Sequence, residues 1–294
     1  MRIKLFALAL LFLFLTACGA EDAVTPLSHI SLIVETLGLS DDYASTIELL
    51  DIKNATLANG KTSTVYLYAY FEGTASSYRY PVLIVGLDGK LYLTDLGSGV
   101  YDNVLYLSDI DGDSGDEVIV VCDTGGNGVP DKLSYIFTFG ESGLHERFDF
   151  FTGGDHDVDT GFTLTLADGW NFIVGNVYTD LRVGFEHKYD KENPYFTEDG
   201  TVIQQFDTLN TDSLFYTFEP VDIDSDGICE IVTSEYSSLW SRSDSLGFAL
   251  TVLKWNNKTE MLEIIKTDFY PIYISSSDDE WEKTLEYLRT WYLD

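Results

Sequence analysis

The chain has 294 residues and carries 49 Asp and Glu against 17 Lys and Arg, a formal charge of −32 at pH 7. That balance excludes binding to nucleic-acid backbones and to anionic lipid head groups, which it would repel. A hydrophobic content of 45%, with 14% aromatics, excludes the other acidic class, a disordered chain without a core.

At the start, Arg2 and Lys4 precede the apolar run "LFALALLFLFL" (Leu5–Leu15), which is too short to span a bilayer, and "LTAC" follows over Leu15–Cys18. A charged segment, an apolar segment and small residues in that order read as a signal peptide over residues 1–17. "LTAC" resembles the lipobox of bacterial lipoproteins. The resemblance implies that Cys18 becomes the lipid-bearing first residue of the mature protein. Residues 18–26 ("CGAEDAVTP") then form a short tether, and 27–294 form a single exported domain held to the membrane by its lipid and facing the extracellular or periplasmic side. Gly19 lacks the Asp that in many Gram-negative bacteria signals retention in the inner membrane, so the kind of cell envelope stays open. The loss of Arg2 and Lys4 makes the mature chain still more negative, and divalent cations outside the cell are available to neutralise part of that charge.

Leu27–Leu37 has a weak helical pattern. From Thr46 onward the sequence is β-like: "TIELLDI", "STVYLYAYF", "YPVLIVGLDGKLYLTDL", "NVLYLSDI", "EVIVVC", "KLSYIFTF", "FTLTLADGWNFIVGNV", "TVIQQF", "FALTVLKW" and "LEIIKTDF" alternate or are rich in β-branched and aromatic residues. Asp88–Gly89 and Asp168–Gly169 mark tight hairpins. A second helix is terminal, over 277–293, with Ser277 as N-cap, Glu280 three residues on, and an apolar stripe of Trp281, Leu285, Leu288 and Trp291. The fold class is therefore all-β, a β-propeller-like array of small antiparallel sheets with a C-terminal capping helix.

Two segments carry the densest charge. "DIDGDSGDEVI" (109–119) and "DIDSDGICEIV" (222–232) align without gaps, matching Asp109 with Asp222, Asp111 with Asp224, Asp113 with Asp226 and Glu117 with Glu230, and each runs into a β-branched stretch. A third segment, "DHDVDTGFT" (155–163), keeps Asp155, Asp157 and Asp159 but has Thr163 in place of the fourth acid. One acidic loop per small sheet is what a radial or stacked repeat would show. Oxygens at alternate positions converge on a hard cation, which makes Asp109, Asp111, Asp113 and Glu117, with the Gly115 carbonyl, one candidate site for Ca2+. Asp222, Asp224, Asp226 and Glu230, with the Ile228 carbonyl, make a second. No imidazole or converging thiolate accompanies these oxygens, so calcium is favoured over zinc. Asp116 falls on the outward phase and reads as solvent-facing or as support behind the ligands. Val120 and Thr233 occupy the place of an EF-hand's twelfth-position Glu, and both flanks are strands, so an EF-hand is excluded.

These loops resemble the calcium loops of FG-GAP and VCBS repeats, which link neighbouring strands of propeller-like blades. Gly227 matches the pattern's glycine; Ser114 does not, and must take a strained conformation or pass that role to Gly112 or Gly115. "VVCDTGGNG" and "SRSDSLGFALTVLKWNN" extend the likeness to exported VCBS-repeat proteins of Gram-positive bacteria over about Val65 to Thr267. The resemblance implies a non-catalytic, calcium-stabilised domain displayed at the surface for binding an extracellular protein or glycan. The alternative is an extracellular hydrolase. His29, His145, His156 and His187 show no metalloprotease spacing and no Gly-x-Ser-x-Gly occurs, but a glycosidase-like carboxylate pair stays open among so many acids. Tyr78, Tyr80, Trp170 and Trp240 are of a type that stacks on sugars, although packing in the β core is the commoner use. An exported protein can join Cys122 to Cys229; without a close-spaced framework they read more readily as a buried thiol and an incidental one.

Overall fold

The run "EVIVVC" lacks the polar alternation of a half-exposed strand because both of its faces are covered. The computed structural model describes residues 26–71, 79–97, 101–124, 132–140, 143–149, 160–186, 195–205, 209–238, 245–272, 287 and 290–293. In it this run is part of the strand Glu117–Asp123; Val118, Val120 and Cys122 enter one core and Ile119 and Val121 another.

The strands fall into four antiparallel meanders. Meander one is β1 (Glu48–Thr56), β2 (Thr62–Phe71), β3 (Arg79–Leu87) and β4 (Lys90–Asp95), paired in chain order. Meander two is β5 (Asp102–Ser108), β6 (Glu117–Asp123), β7 (Lys132–Gly140) and β8 (Gly143–Asp149). Meander three has three described strands, β9 (Phe162–Ala167), β10 (Asn171–Asn176) and β11 (Arg182–Glu186). Meander four is β12 (Asn210–Val221), β13 (Glu230–Ser238), β14 (Ser245–Asn256) and β15 (Met261–Pro271). A single residue pair, Phe215 with Lys132, joins β12 to β7 and makes meanders two and four one eight-stranded sheet. The rest of that edge of β7, Tyr135–Gly140, belongs to β8. The fold is all-β and antiparallel, and no closed barrel or propeller is found among the described residues.

Apolar cores lie between the meanders. Val65, Leu67 and Leu83 of meander one meet Val118, Val120 and Leu133 of meander two. Ile119, Val121 and Phe148 of meander two meet Phe215, Ile231 and Leu253 of meander four, and Phe148 stacks on Phe218 with ring centroids 5.7 Å apart. Phe162, Phe172 and Phe185 of meander three pack on Leu246, Ala249 and Phe269 of meander four. The two outer faces are closed by other elements. Helix α1 (Pro26–Leu37) lays Ile33 on Tyr68, Val82 and Ile84 of meander one, and it ends at Gly38, whose φ of 64° lets the Leu39 amide reach back to the Val34 carbonyl at 3.0 Å. At the far side Trp291 covers Val232, Phe248, Leu250 and Val252 of meander four.

Most of the sequence pattern reappears in these elements. The helix expected from Leu27 is α1, and Asp88–Gly89 is the hairpin between β3 and β4, with φ of 49° and 73°. Of the terminal helix only Trp291 and a few neighbours lie inside the described residues: Trp291 opens a single 3-10 turn and is 3% exposed, while Ser277, Glu280, Trp281, Leu285 and Leu288 lie outside. The described part of "TVIQQF", residues 201–205, makes one isolated bridge, Val202 with Phe196, instead of a strand. Two strands had no sequence signal, and a third had only the expectation of a strand before the second acidic loop. β8 ("GLHERFD") is too polar, β11 ("RVGFE") too short, and β12 ("NTDSLFYTFEPV") opens on turn-forming residues and carries Pro220. Cys122 is buried and Cys229 half-buried, and both are free thiols, so no disulfide joins them. Trp170, of the sugar-stacking type, packs at 5.2 Å on Phe196 beside the core, and Tyr80 stacks on Tyr70; Tyr78 and Trp240 lie outside the described residues.

His29 is the polar member of the α1 interface. It is 1% exposed, its Nδ1 lies 2.8 Å from the Tyr68 hydroxyl, its ring sits edge-on to Tyr66 and Tyr68, and Nε2 has no hydrogen-bond partner among the described residues. Burial lowers its pKa below the usual 6.5. The folded state therefore holds the neutral imidazole, and the stability this contributes is present above pH 6.5 and lost as the pH falls below it. Urea unfolding of wild type and His29→Leu between pH 7 and pH 5 is expected to show the wild type losing stability relative to the variant as the solution is acidified; parallel curves would refute this.

Candidate metal centre

Both acidic loops occupy the same place in their meanders. Asp109–Asp116 joins β5 to β6, and Asp222–Cys229 joins β12 to β13, in each case the first strand to the second. The third segment's Asp155, Asp157 and Asp159 lie outside the described residues, but β9 starts at Phe162, next to Thr163, where β6 and β13 start with Glu117 and Glu230.

Four amide-to-carboxylate bonds recur in both loops, and the first loop has a fifth, from Gly112 N to Asp109 Oδ1 at 2.7 Å. The third Asp of each turns its amide onto the second: Asp113 N to Asp111 Oδ1 at 3.1 Å, and Asp226 N to Asp224 Oδ1 at 3.2 Å. The sixth amide donates to the first Asp, from Ser114 to Asp109 Oδ2 at 2.8 Å and from Gly227 to Asp222 Oδ2 at 3.1 Å. The seventh donates to the third Asp, from Gly115 to Asp113 Oδ1 at 2.7 Å and from Ile228 to Asp226 Oδ1 at 2.8 Å. The second donates to the closing Glu, from Ile110 to Glu117 Oε2 at 3.1 Å and from Ile223 to Glu230 Oε2 at 3.4 Å. Aiming amides inward requires left-handed backbone at the fourth and sixth positions: Gly112 (φ 78°) and Ser114 (69°) in the first loop, Ser225 (62°) and Gly227 (90°) in the second. Glycine and serine have exchanged places. The missing glycine at Ser114 is thus met by Ser114 itself taking the left-handed conformation alongside Gly112.

The carboxylates gather by threes. Oxygens of Asp109, Asp111 and Glu117 lie within 4.8 Å of one another, as do those of Asp222, Asp224 and Asp226. Donor sets made wholly of carboxylate oxygen fit a hard divalent cation. Asp113 and Glu230 stand outside these groups. Glu117 and Glu230 are 1% and 2% exposed at the feet of their loops. Burial pushes the Glu117 carboxyl up to about 7 against the pull of the Ile110 amide, and Asp111 nearby raises it further. The residue opposite each Glu on the next strand binds it: Thr138 donates to Glu117 Oε1 at 3.2 Å and the Lys254 ammonium lies 2.7 Å from Glu230 Oε1. That bond to Glu230 is the main reason Lys254 holds its proton more tightly than usual.

Several contributors had no local sequence signal. Arg147, on β8, places Nη1 2.6 Å from Asp111 Oδ2 and its guanidinium 5.0 Å from the Trp255 ring centroid; Asn257 donates to the Asp111 carbonyl at 2.7 Å. The eighth position of each loop joins it to the preceding layer. Asp116 N donates to the Thr56 carbonyl at 2.6 Å, and Cys229 N donates to the Asp109 carbonyl at 2.7 Å. The seventh position presses on the same neighbour. A Cβ on Gly115 would sit 2.7 Å from Ala58 N, and the Ile228 side chain fills the space a Cβ on Gly112 would need, at 2.9 Å. The β1–β2 turn, the first loop and the second loop are therefore stitched in a row.

Asp116 stands outside the converging carboxylates, half-exposed, and supports the loop from behind. Its Oδ2 accepts the Thr56 amide at 2.6 Å, so the side chain and the amide of one residue clamp the end of β1. Asp116→Ala is expected to cost about 1 kcal/mol of stability, and Asp116→Asn, which keeps an acceptor oxygen, less; urea unfolding of the three proteins checks this, and an unchanged midpoint for Asp116→Ala would show that the clamp contributes nothing. No protein-family model, curated protein or solved structure matches the chain.

Proposed function

We propose that the protein is a non-catalytic, calcium-stabilised lipoprotein domain displayed outside the cell from a lipid on Cys18, with its meanders as the blades of a propeller-like, VCBS- or FG-GAP-type array that binds an extracellular protein or glycan. The observation that carries the calcium reading is that two loops alike in their spacing of acids share four amide-to-carboxylate bonds and each gather three carboxylates within 4.8 Å. Such a gathering is repulsive on its own, and a divalent cation removes the repulsion where backbone amides satisfy only part of it.

Calcium acts as a staple here. Each loop ties the first and second strands of a meander and also touches the preceding layer through its seventh and eighth residues. Extracellular calcium modules bind with Kd of about 10⁻⁴ to 10⁻³ M, so at millimolar calcium each loop would contribute about 0.4 to 1.4 kcal/mol. Melting the protein in calcium and in chelator is expected to separate the two curves by several degrees. Asp224→Ala should remove most of the second loop's share, and coincident curves for the wild type would overturn the reading.

The anchor is tested separately. Mass spectrometry of the native protein is expected to find a diacylglyceryl-modified N-terminal Cys18, and a Cys18→Ala protein that stayed membrane-bound with normal processing would overturn it. Among the described residues no helix is long and apolar enough to cross a membrane.

A further inference from the structure

We infer that the two acidic loops are unequal calcium sites, with Arg147 acting as a built-in counter-ion that makes the first loop the weaker. This rests on the calcium reading above and deepens it.

In the first loop the Arg147 guanidinium bonds directly to Asp111, one of the three converging carboxylates, at 2.6 Å. The pair is sheltered: the Asp111 side chain is 6% exposed and that of Arg147 23%. Stacking on Trp255 at 5.0 Å and the Asn257 bond to the Asp111 carbonyl hold both partners in place from meander four. A cation entering this loop must share Asp111 with a guanidinium that already holds its Oδ2 and offsets its charge.

The second loop is built otherwise. Its cation, Lys254, bonds to Glu230, which lies outside the group of Asp222, Asp224 and Asp226, although its charge is felt by Asp226 and Asp224. Among the described residues no ion pair reaches any of the three. All three are exposed, so an ion can enter without displacing a side chain. The first loop thus keeps its shape on an internal cation, and the second leaves its converging carboxylates for an external one.

Calorimetric titration of the full chain in detergent with calcium tests the ranking. The wild type is expected to bind in two steps at least about tenfold apart in Kd, the gap that the loss of one charge-assisted bond implies. Asp224→Asn should abolish the tighter step and Asp109→Asn the weaker. Arg147→Met, which keeps a side chain over Trp255, and Arg147→Gln should each tighten the weaker step by about tenfold and leave the tighter one in place. Two steps of equal Kd in the wild type, loss of the weaker step in Asp224→Asn, or a weaker step unmoved in folded Arg147 variants would overturn the inference. No calcium binding at all would overturn the calcium reading beneath it, a distinguishable result.

Discussion

Carboxylates crowded into one turn repel one another, and the form of each acidic loop is a response to that repulsion. The fourth and sixth residues turn left-handed so that five amides in the first loop and four in the second point at the acids and not at solvent. Left-handed backbone in a serine costs about 1 kcal/mol or more, yet Ser114 and Ser225 both adopt it. That two loops with glycine and serine interchanged reach the same conformation shows the carboxylate-to-amide pattern to be the determinant and the glycine a convenience.

The same geometry sets how the meanders stack. Once the sixth and seventh amides are committed to the Asp side chains, the eighth amide points out of the loop, and in both copies it finds a carbonyl of the layer before: Thr56 for Asp116, Asp109 for Cys229. The apolar cores do the rest, since β6 offers one face to meander one and the other to meander four. Order in the stack does not follow order in the chain. Meander two sits against meander four through the first and second loops, and meander three packs elsewhere on meander four through Phe162, Phe172 and Phe185. Closure at the two ends by α1 and by Trp291 covers the outer faces of meanders one and four with segments that are not strands.

Charge compensation divides the loops by what distant strands bring to them. Arg147 arrives from β8 onto Asp111, and Lys254 arrives from β14 onto Glu230. Similar local segments thereby end in different electrostatic settings, one with a guanidinium on a converging carboxylate and one with an ammonium on the acid beside the group. A repeat in sequence is a repeat in backbone, and its chemistry is set by whatever the neighbouring strands place next to it.

By itself the sequence determined what local chemistry controls. The β class, the Asp88–Gly89 hairpin, the α1 helix and the correspondence of Asp109, Asp111, Asp113 and Glu117 with Asp222, Asp224, Asp226 and Glu230 were legible, because backbone propensity and turn formation act over a few residues. Tertiary structure alone decided the rest. β8 and β12 are strands because edges of β7 and β13 were there to pair with them, against their own polar or turn-forming composition. What Asp116 supports was decided by the end of β1, 60 positions away in the chain, which offers an amide and a carbonyl to it. Arg147, Lys254 and Asn257 reach the loops across strand registers that no spacing of residues records, and Cys122 and Cys229 stay free because one lies in the core between meanders one and two and the other at the joint of the two loops. Long-range pairing is a property of the packed sheets, and it appears only when they are assembled.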